Sequence, residues 1–579
     1  MRKNLCMLAA LSLALTGCSS STPMDDLGGR YLNATFTANP VAGANAGMHI
    51  YDGLPPRMTQ DAYSRLQTEL HAVHAKLPLK NAGQPVSPEQ SLRARSLAAA
   101  IDADLFGIEV FRSYKRNPMA YASAIDASLY AKRNFAPKTS RLLSAASLLE
   151  GAPGVVAAAK DNLDTVLPKV YITTAMAIAR GQADFAQKDL VEGFADVPDP
   201  ALQARLRKAA DTAAAAMRGY ADWLETERLP RAIPDFAIGR DAFVRMLRGN
   251  ELLSQTPEEI LAIGMAELDR QQRAFTAAAA EIDPARPAVD VWLEVQRDHP
   301  TPATLIPDAK AHLEQIRSFF AERGIVRYPT SRTVLVEETP RFLRATTFAS
   351  MDSPGPFETK ATESFYYITP TEPEWDAKRV DDWLTAFNYY TTDIVSIHEA
   401  YPGHFVQGEC LRTSSMTGAW RSIGSYCFVE GWAHYCEQMA MDEGFPPPSL
   451  STAPHAKAKY RMAQASEALL RCCRLVCSVK MHCQGMTLDE ATKFFVDNCH
   501  YTEPTAKNEA ERGSYDPGYC FYTIGKLQFF KLRDDWKKQE GANYSLKRFH
   551  EEALKHGMPP LRLLREYMLK DASLWEKSL

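Results

Sequence analysis

Apolar residues recur at helical spacing along most of this 579-residue chain. The long segments with this pattern are rich in Ala, Leu, Arg and Glu, and each opens with a proline, which suits the first turn of a helix. They are residues 88–111, 153–187, 198–227 and 257–282. Strand-like runs cluster at residues 332–338 and 363–369, where β-favouring residues accumulate. The pattern predicts a mainly α fold with a small β-sheet.

The predicted elements fall into two lobes. We expect a helical N-terminal lobe over residues 56–330 and a second lobe over residues 331–579, with a cleft between them. Residues 18–55 contain glycine and asparagine, which predicts a linker followed by a loop-rich lead-in.

The N-terminus has the features of an export signal. Two basic residues precede an apolar run at residues 5–15, and the following Leu-Thr-Gly-Cys18 resembles a lipobox. We therefore interpret residues 1–17 as a signal peptide and Cys18 as a lipidation site. Ser19, in place of aspartate, resembles the outer-membrane sorting pattern of Gram-negative lipoproteins. No second apolar stretch is expected to span a membrane, which predicts a body tethered by lipid in the bacterial cell envelope and facing the periplasm.

Composition narrows the classes of function. The formal net charge is −4, and no stripe of Lys and Arg is interleaved with aromatic residues, so nucleic-acid binding is disfavoured. The chain has no G-x-S-x-G elbow, P-loop or dinucleotide fingerprint. Nine cysteines lie between Cys410 and Cys520 and none between residues 19 and 409. In an exported protein we expect some of these cysteines to form disulfide bridges, but an odd number leaves at least one thiol free or paired between chains.

One motif carries the most chemistry. His398-Glu399-Ala-Tyr-Pro402-Gly-His404 places two imidazoles around a carboxylate, and Glu430 follows 26 positions later. These residues supply three zinc ligands and a general base, which is what metal-assisted hydrolysis requires. Histidines six apart would point about 120° apart on an ideal helix. Pro402 must therefore break or bulge the helix, and Gly403 tolerates the unusual dihedrals that follow. If a metal binds, this kink must bring His404 back toward His398.

Alternatives remain for each ligand. His434 and Glu437 follow Glu430 by one and two helical turns on nearly the same face, so either could be the ligand or could orient an imidazole. Glu430 could instead be a solvated acid at a helix start. His398 and His404 could be ordinary hydrogen-bonded core histidines.

These motifs resemble a known family. The HEAYPGH string at 398–404, the EGWAHYCE string at 430–437 and the later Arg512…Pro517-Gly518…Tyr522-x-x-Gly525 run resemble the bacterial family called domain of unknown function 885 (DUF885). That family is distantly similar to gluzincin peptidases of the thimet-oligopeptidase and thermostable-carboxypeptidase groups. The likeness covers most of the mature chain and implies a helical zinc-hydrolase fold. It also implies that His398, His404 and Glu430 hold zinc and that Glu399 is the general base.

The resemblance extends to the substrate site. Tyr522 occupies the family's Tyr-x-x-Gly position and could donate to an oxyanion, with Tyr515 and Tyr519 as competitors. Arg512 could pair with a substrate carboxylate, which would favour exopeptidase action. A structural salt bridge from Arg512 to a neighbouring acid, such as Glu509 or Asp516, is the competing interpretation.

Two further residues are weaker candidates. The strand at residues 363–369, which contains Tyr366, either pairs with extended substrate as an edge strand or only completes a small sheet. His482 lies where the family carries a histidine, so it is a candidate substrate-site residue.

The sequence therefore predicts a zinc-dependent hydrolase, with residues 331–579 as its metallopeptidase-like lobe and short peptides as substrates. Two alternatives are kept. One is a non-catalytic lipoprotein that binds or scaffolds, and the other is a hydrolase of small non-peptide amides. A non-catalytic relative would be expected to lose a ligand or the base, whereas all four positions are intact here.

Overall fold

The computed structural model describes residues 23–79, 87–341, 344, 348–416 and 418–579. The predicted signal peptide and Cys18 lie outside these residues. The chain divides into two compact units. The first contains the chain up to Ala232 together with Gly355–Lys360 and Ser415–Gly424, and the second contains Ile233–Pro354, Ala361–Ser414 and Ser425–Leu579.

The first unit is built from helices. In chain order they are α1 Pro23–Ala38, α2 Pro40–Asn45, α3 Gln60–His74, α4 Pro88–Leu105, α5 Ser113–Arg116, α6 Met119–Ala122, α7 Ser128–Lys132, α8 Lys138–Glu150, α9 Ala152–Asn162, α10 Lys169–Gln187, α11 Asp189–Gly193 and α12 Pro200–Trp223. Local sequence explains where several of them start. Ser87 and Gln90 form a reciprocal capping box before Pro88, for example, which satisfies the first free N–H groups of α4.

The second unit combines helices with one sheet. Its elements are α13 Arg240–Glu251, α14 Pro257–Ile282, α15 Ala288–Val295, α16 Leu305–Glu322, β1 Val334–Glu338, β2 Ala349–Asp352, β3 Ser364–Ile368, α17 Ala377–Ala386, α18 Tyr389–Glu399, α19 His404–Thr413, α20 Tyr426–Asp442, α21 Ala456–Cys483, α22 Leu488–Cys499, α23 Glu503–Tyr515, α24 Phe521–Glu540, α25 Leu546–Leu554 and α26 Leu561–Met568. The mainly α fold class with a small sheet is thus confirmed.

The sheet has the strand order β1-β3-β2. β1 runs parallel to β3, with Val336 opposite Tyr366, and β2 runs antiparallel to it, with Met351 opposite Tyr366. β3 is therefore the central strand. The prediction that the 363–369 strand could be an edge strand is wrong, because both of its sides are already paired.

Several sequence-based boundaries need correction. The predicted 153–187 helix is two helices, α9 and α10, because Pro168 cannot continue a helix that precedes it. The lead-in predicted to be loop-rich contains α1 and α2. Leu32 and Phe36 of α1 are buried in a hydrophobic cluster of the first unit, so packing outweighs the weak helix propensity of Gly28 and Gly29.

The predicted lobe boundary at residues 330–331 falls inside the second unit. The cause is long-range packing, since α14 lies along the buried α21. At their contact a Cβ on Gly264 would come within 2.2 Å of a Leu475 methyl carbon, so a larger residue there would have to displace the Leu475 side chain.

The stretch Lys138–Asn162 is long and apolar enough to cross a membrane by length and composition. The sequence analysis expected no such stretch after the signal. In the structure it forms α8 and α9, and most of its large apolar side chains, such as Leu142, Leu148 and Leu149, are buried within the first unit. That burial is what a core helix of a folded unit requires.

All nine cysteines from Cys410 to Cys520 are free thiols, and most are buried. The expected partial disulfide bridging is therefore not observed. Seven of the nine are buried among packed helices, where cysteine behaves as a small apolar residue.

Candidate metal centre

The chain breaks its helix between the two motif histidines, as the sequence predicts. α18 ends at Glu399 and α19 begins at His404. Across the break the Gly403 N–H donates to the Ile397 carbonyl oxygen at 3.0 Å. The two histidine rings consequently meet, with their centroids 4.9 Å apart and their planes at 88°.

Gly403 makes this turn possible. A Cβ at this position would lie 1.7 Å from the His398 carbonyl oxygen and 2.5 Å from that of Ile397. No rotamer change can relieve a clash with backbone atoms. Glycine is therefore required here by close approach.

We expect Gly403→Ala to lower the unfolding free energy of the chelator-treated protein by roughly 3 kcal/mol, because the backbone must move to admit the methyl group. Gly408→Ala is the matched control on α19. A Cβ there meets no atom within 4 Å, and alanine favours a helix by up to about 1 kcal/mol. Denaturant unfolding of both variants measures the difference, and equal stabilities would contradict the packing argument.

Glu430 completes the cluster. Its Oε2 atom lies 3.5 Å from His398 Nε2 and 3.5 Å from His404 Nε2. The ligand atoms of the three residues all lie within 4.8 Å of one another. In the described part of the chain, this is the one cluster of three or more His, Cys, Asp or Glu side chains that could hold a metal ion. Two zinc bonds of about 2.1 Å at a tetrahedral angle separate their ligand atoms by about 3.4 Å, so both 3.5 Å separations from Glu430 fit zinc.

The electrostatics of Glu430 also fit a cation. Its Oε2 atom is buried and has no hydrogen-bond partner among the described residues. Burial alone would raise the pKa of Glu430, but the imidazoles of His404 and His398 hold that pKa well below its usual value. A buried carboxylate oxygen without a donor is costly unless a cation or donor satisfies it.

Close packing of two helices positions Glu430. α20 begins at a Ser425 cap, whose hydroxyl accepts from the Phe428 N–H at 3.1 Å. α20 then packs closely on α24. A Cβ on Gly431 would lie 2.5 Å from the Cα of Gly525, so the two backbones approach more closely than a side chain at this position would allow. Gly525 is the glycine of the Tyr-x-x-Gly motif, so this motif brings the Tyr522 end of α24 close to α20.

Glu437 supports the cluster from behind. Its Oε1 lies 2.7 Å from His398 Nδ1, and its Oε2 lies 3.2 Å from His434 Nδ1. With a metal ion in place of the Nε2 proton, a proton on Nδ1 donated to Glu437 would fix the ring with Nε2 toward Glu430. Burial lowers the pKa of His398, but its contacts with Glu430 and Glu437 raise it to about 9.

Glu430, His434 and Glu437 were all possible third ligands. In the structure, Glu430 is the one whose oxygen lies with the two histidine nitrogens. Glu437 contacts the opposite nitrogen of His398 instead. His434 is fully buried, and burial lowers its pKa to about 3. Helix periodicity alone had left all three residues possible.

Glu399, the candidate base, directly follows His398 and is half-buried. Its Oε2 accepts from the Met351 backbone N–H at 3.1 Å, which ties it to β2. Its Oε1 has no hydrogen-bond partner among the described residues. Sequence reasoning missed Met351, since β2 lies about fifty positions upstream and carries no strong strand signal.

Tyr522 lies among arginines. The guanidinium carbons of Arg471, Arg474 and Arg512 are 6.0, 5.2 and 5.9 Å from its ring centroid. The ring of Tyr426, one turn before Glu430 on α20, is 5.6 Å away. Tyr426 was also missed, because its place opposite Tyr522 depends on the α20–α24 contact.

A family model describing bacterial proteins of unknown function, DUF885, matches residues 40–568, which is most of the chain. The chain belongs to this family. No curated protein matches the chain.

Two solved structures share the DUF885 protein's fold. A candidate lipoprotein of unknown function from Shewanella oneidensis is 21% identical, with a TM-score of 0.76 over 95% of this chain and 100% of that one.

A second such protein, a candidate lipoprotein from Colwellia psychrerythraea, is 16% identical, with a TM-score of 0.78 over 96% of this chain and 99% of that one. At these identities, the two structures establish the fold alone.

In the DUF885 protein two of the candidate substrate residues are core residues. Tyr366 is fully buried on the central strand, and its hydroxyl lies 3.3 Å from Ser396 Oγ. His482 is 1% exposed, with Nε2 2.8 Å from the Gly513 carbonyl oxygen and Nδ1 3.4 Å from the Ile238 amide nitrogen. Neither can meet a substrate, so both assignments are corrected to structural roles.

Arg512 is partly exposed and pairs with Asp516 at 3.1 Å, as the competing interpretation expected. Its Nη2 also donates to the Tyr426 hydroxyl at 3.3 Å. Its Nη1 has no partner among the described residues. Of the tyrosines that compete with Tyr522, Tyr519 is fully buried, with its hydroxyl packed against Gly513.

Proposed function

We propose that this DUF885 protein is a zinc-dependent hydrolase that cleaves short peptides. The observation that carries the proposal is the convergence of two imidazole Nε2 atoms on one buried carboxylate oxygen of Glu430, with Glu399 next to His398 in the chain. His398, His404 and Glu430 would hold the zinc. When bound, zinc supplies a Lewis acid that makes a water molecule a nucleophile near neutral pH. The resemblance of the motifs at 398–404 and 430–437, which implies a distant relation to gluzincin peptidases, supports this proposal.

Glu399 would move the proton. Met351 fixes one of its oxygens, so the unpaired Oε1 can accept a proton from the attacking water and return it to the leaving amine. Tyr522 would donate its hydroxyl to the oxyanion of the tetrahedral intermediate. Glu437 would keep His398 in the tautomer whose Nε2 faces the cluster.

Edge strand β2 favours an extended peptide as substrate. The Thr369 N–H donates to the Phe348 carbonyl oxygen at 3.0 Å, which fixes the hydrogen-bonding phase between β2 and β3. In an antiparallel ladder this phase turns the backbone polar groups of Ala349 and Met351 away from β3. The Met351 N–H accordingly meets Glu399, and the remaining outward groups can pair with a peptide backbone.

Arg512 favours action near a C-terminus, since its unpaired Nη1 can donate to a terminal carboxylate. We expect short free-acid peptides to be cleaved near that end, and C-terminal amidation to reduce this cleavage by about tenfold or more, because a charge-assisted hydrogen bond contributes about 1.5–3 kcal/mol. Arg512→Gln should erase the difference between the two peptide forms.

Mass spectrometry of matched free-acid and amidated peptides, digested with and without chelator, checks this expectation. Equal internal cleavage in both forms would rule out the Arg512 role. No cleavage in any peptide, by protein that holds zinc, would overturn peptidase action and leave a non-peptide amide as the substrate.

We further propose that the protein is anchored by lipid at Cys18 in the bacterial cell envelope. The lipobox-like residues before Cys18 support the anchor, and both structural neighbours are themselves candidate lipoproteins. Ser19 favours the outer membrane, with the hydrolase body facing the periplasm.

A further inference from the structure

Arg471 is a buried cation of α21 that contacts two parts of the site. Only 7% of the residue is exposed. Its Nη1 donates to Glu467 Oε2 at 2.6 Å and to the Glu467 carbonyl oxygen at 2.8 Å. Its Nη2 lies 3.4 Å from Glu437 Oε1, the same oxygen that holds His398.

The same guanidinium packs against Tyr522, with its carbon 6.0 Å from the ring centroid. Two other arginines flank that ring, but each is paired with an acid outside the metal cluster. Arg474 makes a two-pronged pair with Glu509 at 2.7 and 2.9 Å, and Arg512 pairs with Asp516. Of the three, and within the described part of the chain, only Arg471 contacts an acid that holds a candidate zinc ligand.

We propose that Arg471 is a positioning residue that holds Glu437, and through it His398, while it fixes the ring of Tyr522. This inference rests on the proposed function for the role of Tyr522, whereas its effect on zinc binding stands independently. Glu437 is buried and must accept from two imidazoles on separate helices. A planar guanidinium anchored by Glu467 restricts that carboxylate to one orientation, as a flexible amine or an amide would not.

Zinc affinity is the direct readout, measured by competition with a chromophoric chelator on the full chain. We expect Arg471→Gln to weaken zinc binding by about tenfold, the lower end of the loss expected for Glu437, which contacts His398 directly. Arg471→Lys should recover part of it. Arg461→Gln is the matched control on the same helix, since Arg461 is half-exposed and pairs with Asp442 at 3.5 Å.

On peptide substrates, Arg471→Gln should lower kcat by about 100-fold and leave KM within about threefold, because a displaced oxyanion donor costs transition-state stabilisation rather than binding. The double variant Arg471→Gln, Glu437→Gln should bind zinc about as tightly as whichever single variant binds zinc less tightly. The two losses should not add, since both residues act through His398. If Arg471→Gln fails to fold, Arg471→Lys, with an expected loss of about threefold or more, carries the test.

Folded Arg471→Gln and Arg471→Lys proteins with the zinc affinity of the parent would overturn the proposal, as would additive losses in the double variant. A parent chain that binds zinc but cleaves no peptide would overturn the proposed function instead. In that case, weakened zinc binding in Arg471→Gln would still support the positioning of His398.

Discussion

Replacing Glu399 with glutamine is expected to lower kcat for peptide hydrolysis by about 10³-fold or more while zinc stays bound. The amide keeps the side chain's size and can still accept the Met351 N–H with its oxygen. It cannot accept a proton from the attacking water at neutral pH. Because Glu399 is outside the group of three possible ligands, zinc occupancy should match that of the parent.

Steady-state kinetics and metal analysis of the same preparation check this result. Glu374→Gln, at an exposed acid in the same unit, is the control and should leave kcat unchanged. A Glu399→Gln protein that cleaves peptides at the parental rate would show that another residue moves the proton.

Removing the carboxylate of Glu430 is expected to produce the largest loss of zinc among the residues of α20. Glu430→Ala deletes a candidate ligand, so its apparent zinc affinity should fall by more than the roughly 100-fold that loss of an orienting partner can cost. Glu437→Ala should fall by about 10- to 100-fold. His434→Ala should have the smallest effect, since His434 reaches the cluster only through Glu437.

Chelator competition on the three variants ranks these affinities, and thermal unfolding of the zinc-free proteins shows whether each is folded. If His434→Ala or Glu437→Ala loses more zinc than Glu430→Ala does, the third ligand is His434 or Glu437 and not Glu430.

Local signals predicted much of the helical fold. Helix α14 has the bounds 257–282 in both the sequence analysis and the structure, because the Thr256–Glu259 capping box and Pro257 determine its start. The order of strands has no such local signal. β3 has the composition of a strand whether it is central or at an edge, so its central position could not be predicted from the sequence.

The candidate metal site shows the same limit. Pro402 and Gly403 predicted the break that joins His398 to His404, because proline and glycine constrain the backbone locally. The choice of Glu430 among three residues on one helix face depended on how α20 packs. That packing is determined by Gly431 and Gly525, which are far apart in sequence.

The contacts of Met351, Tyr426 and Arg471 were not predictable for the same reason. Each residue reaches the site from an element separated from its partner by many positions, and none belongs to a motif with a required spacing. Arg512, by contrast, was a candidate from the sequence, which allowed two interpretations of its role. The structure shows its pair with Asp516 and leaves one amino group open for the proposed carboxylate contact.

The zinc content of the full chain, purified without chelator and measured by elemental mass spectrometry, tests the central claim most directly. Three converging ligands should retain zinc through purification, so we predict close to one zinc per chain, falling sharply in Glu430→Ala. Less than about 0.2 zinc per chain, unchanged in Glu430→Ala, would contradict a zinc hydrolase and favour a non-catalytic binding module.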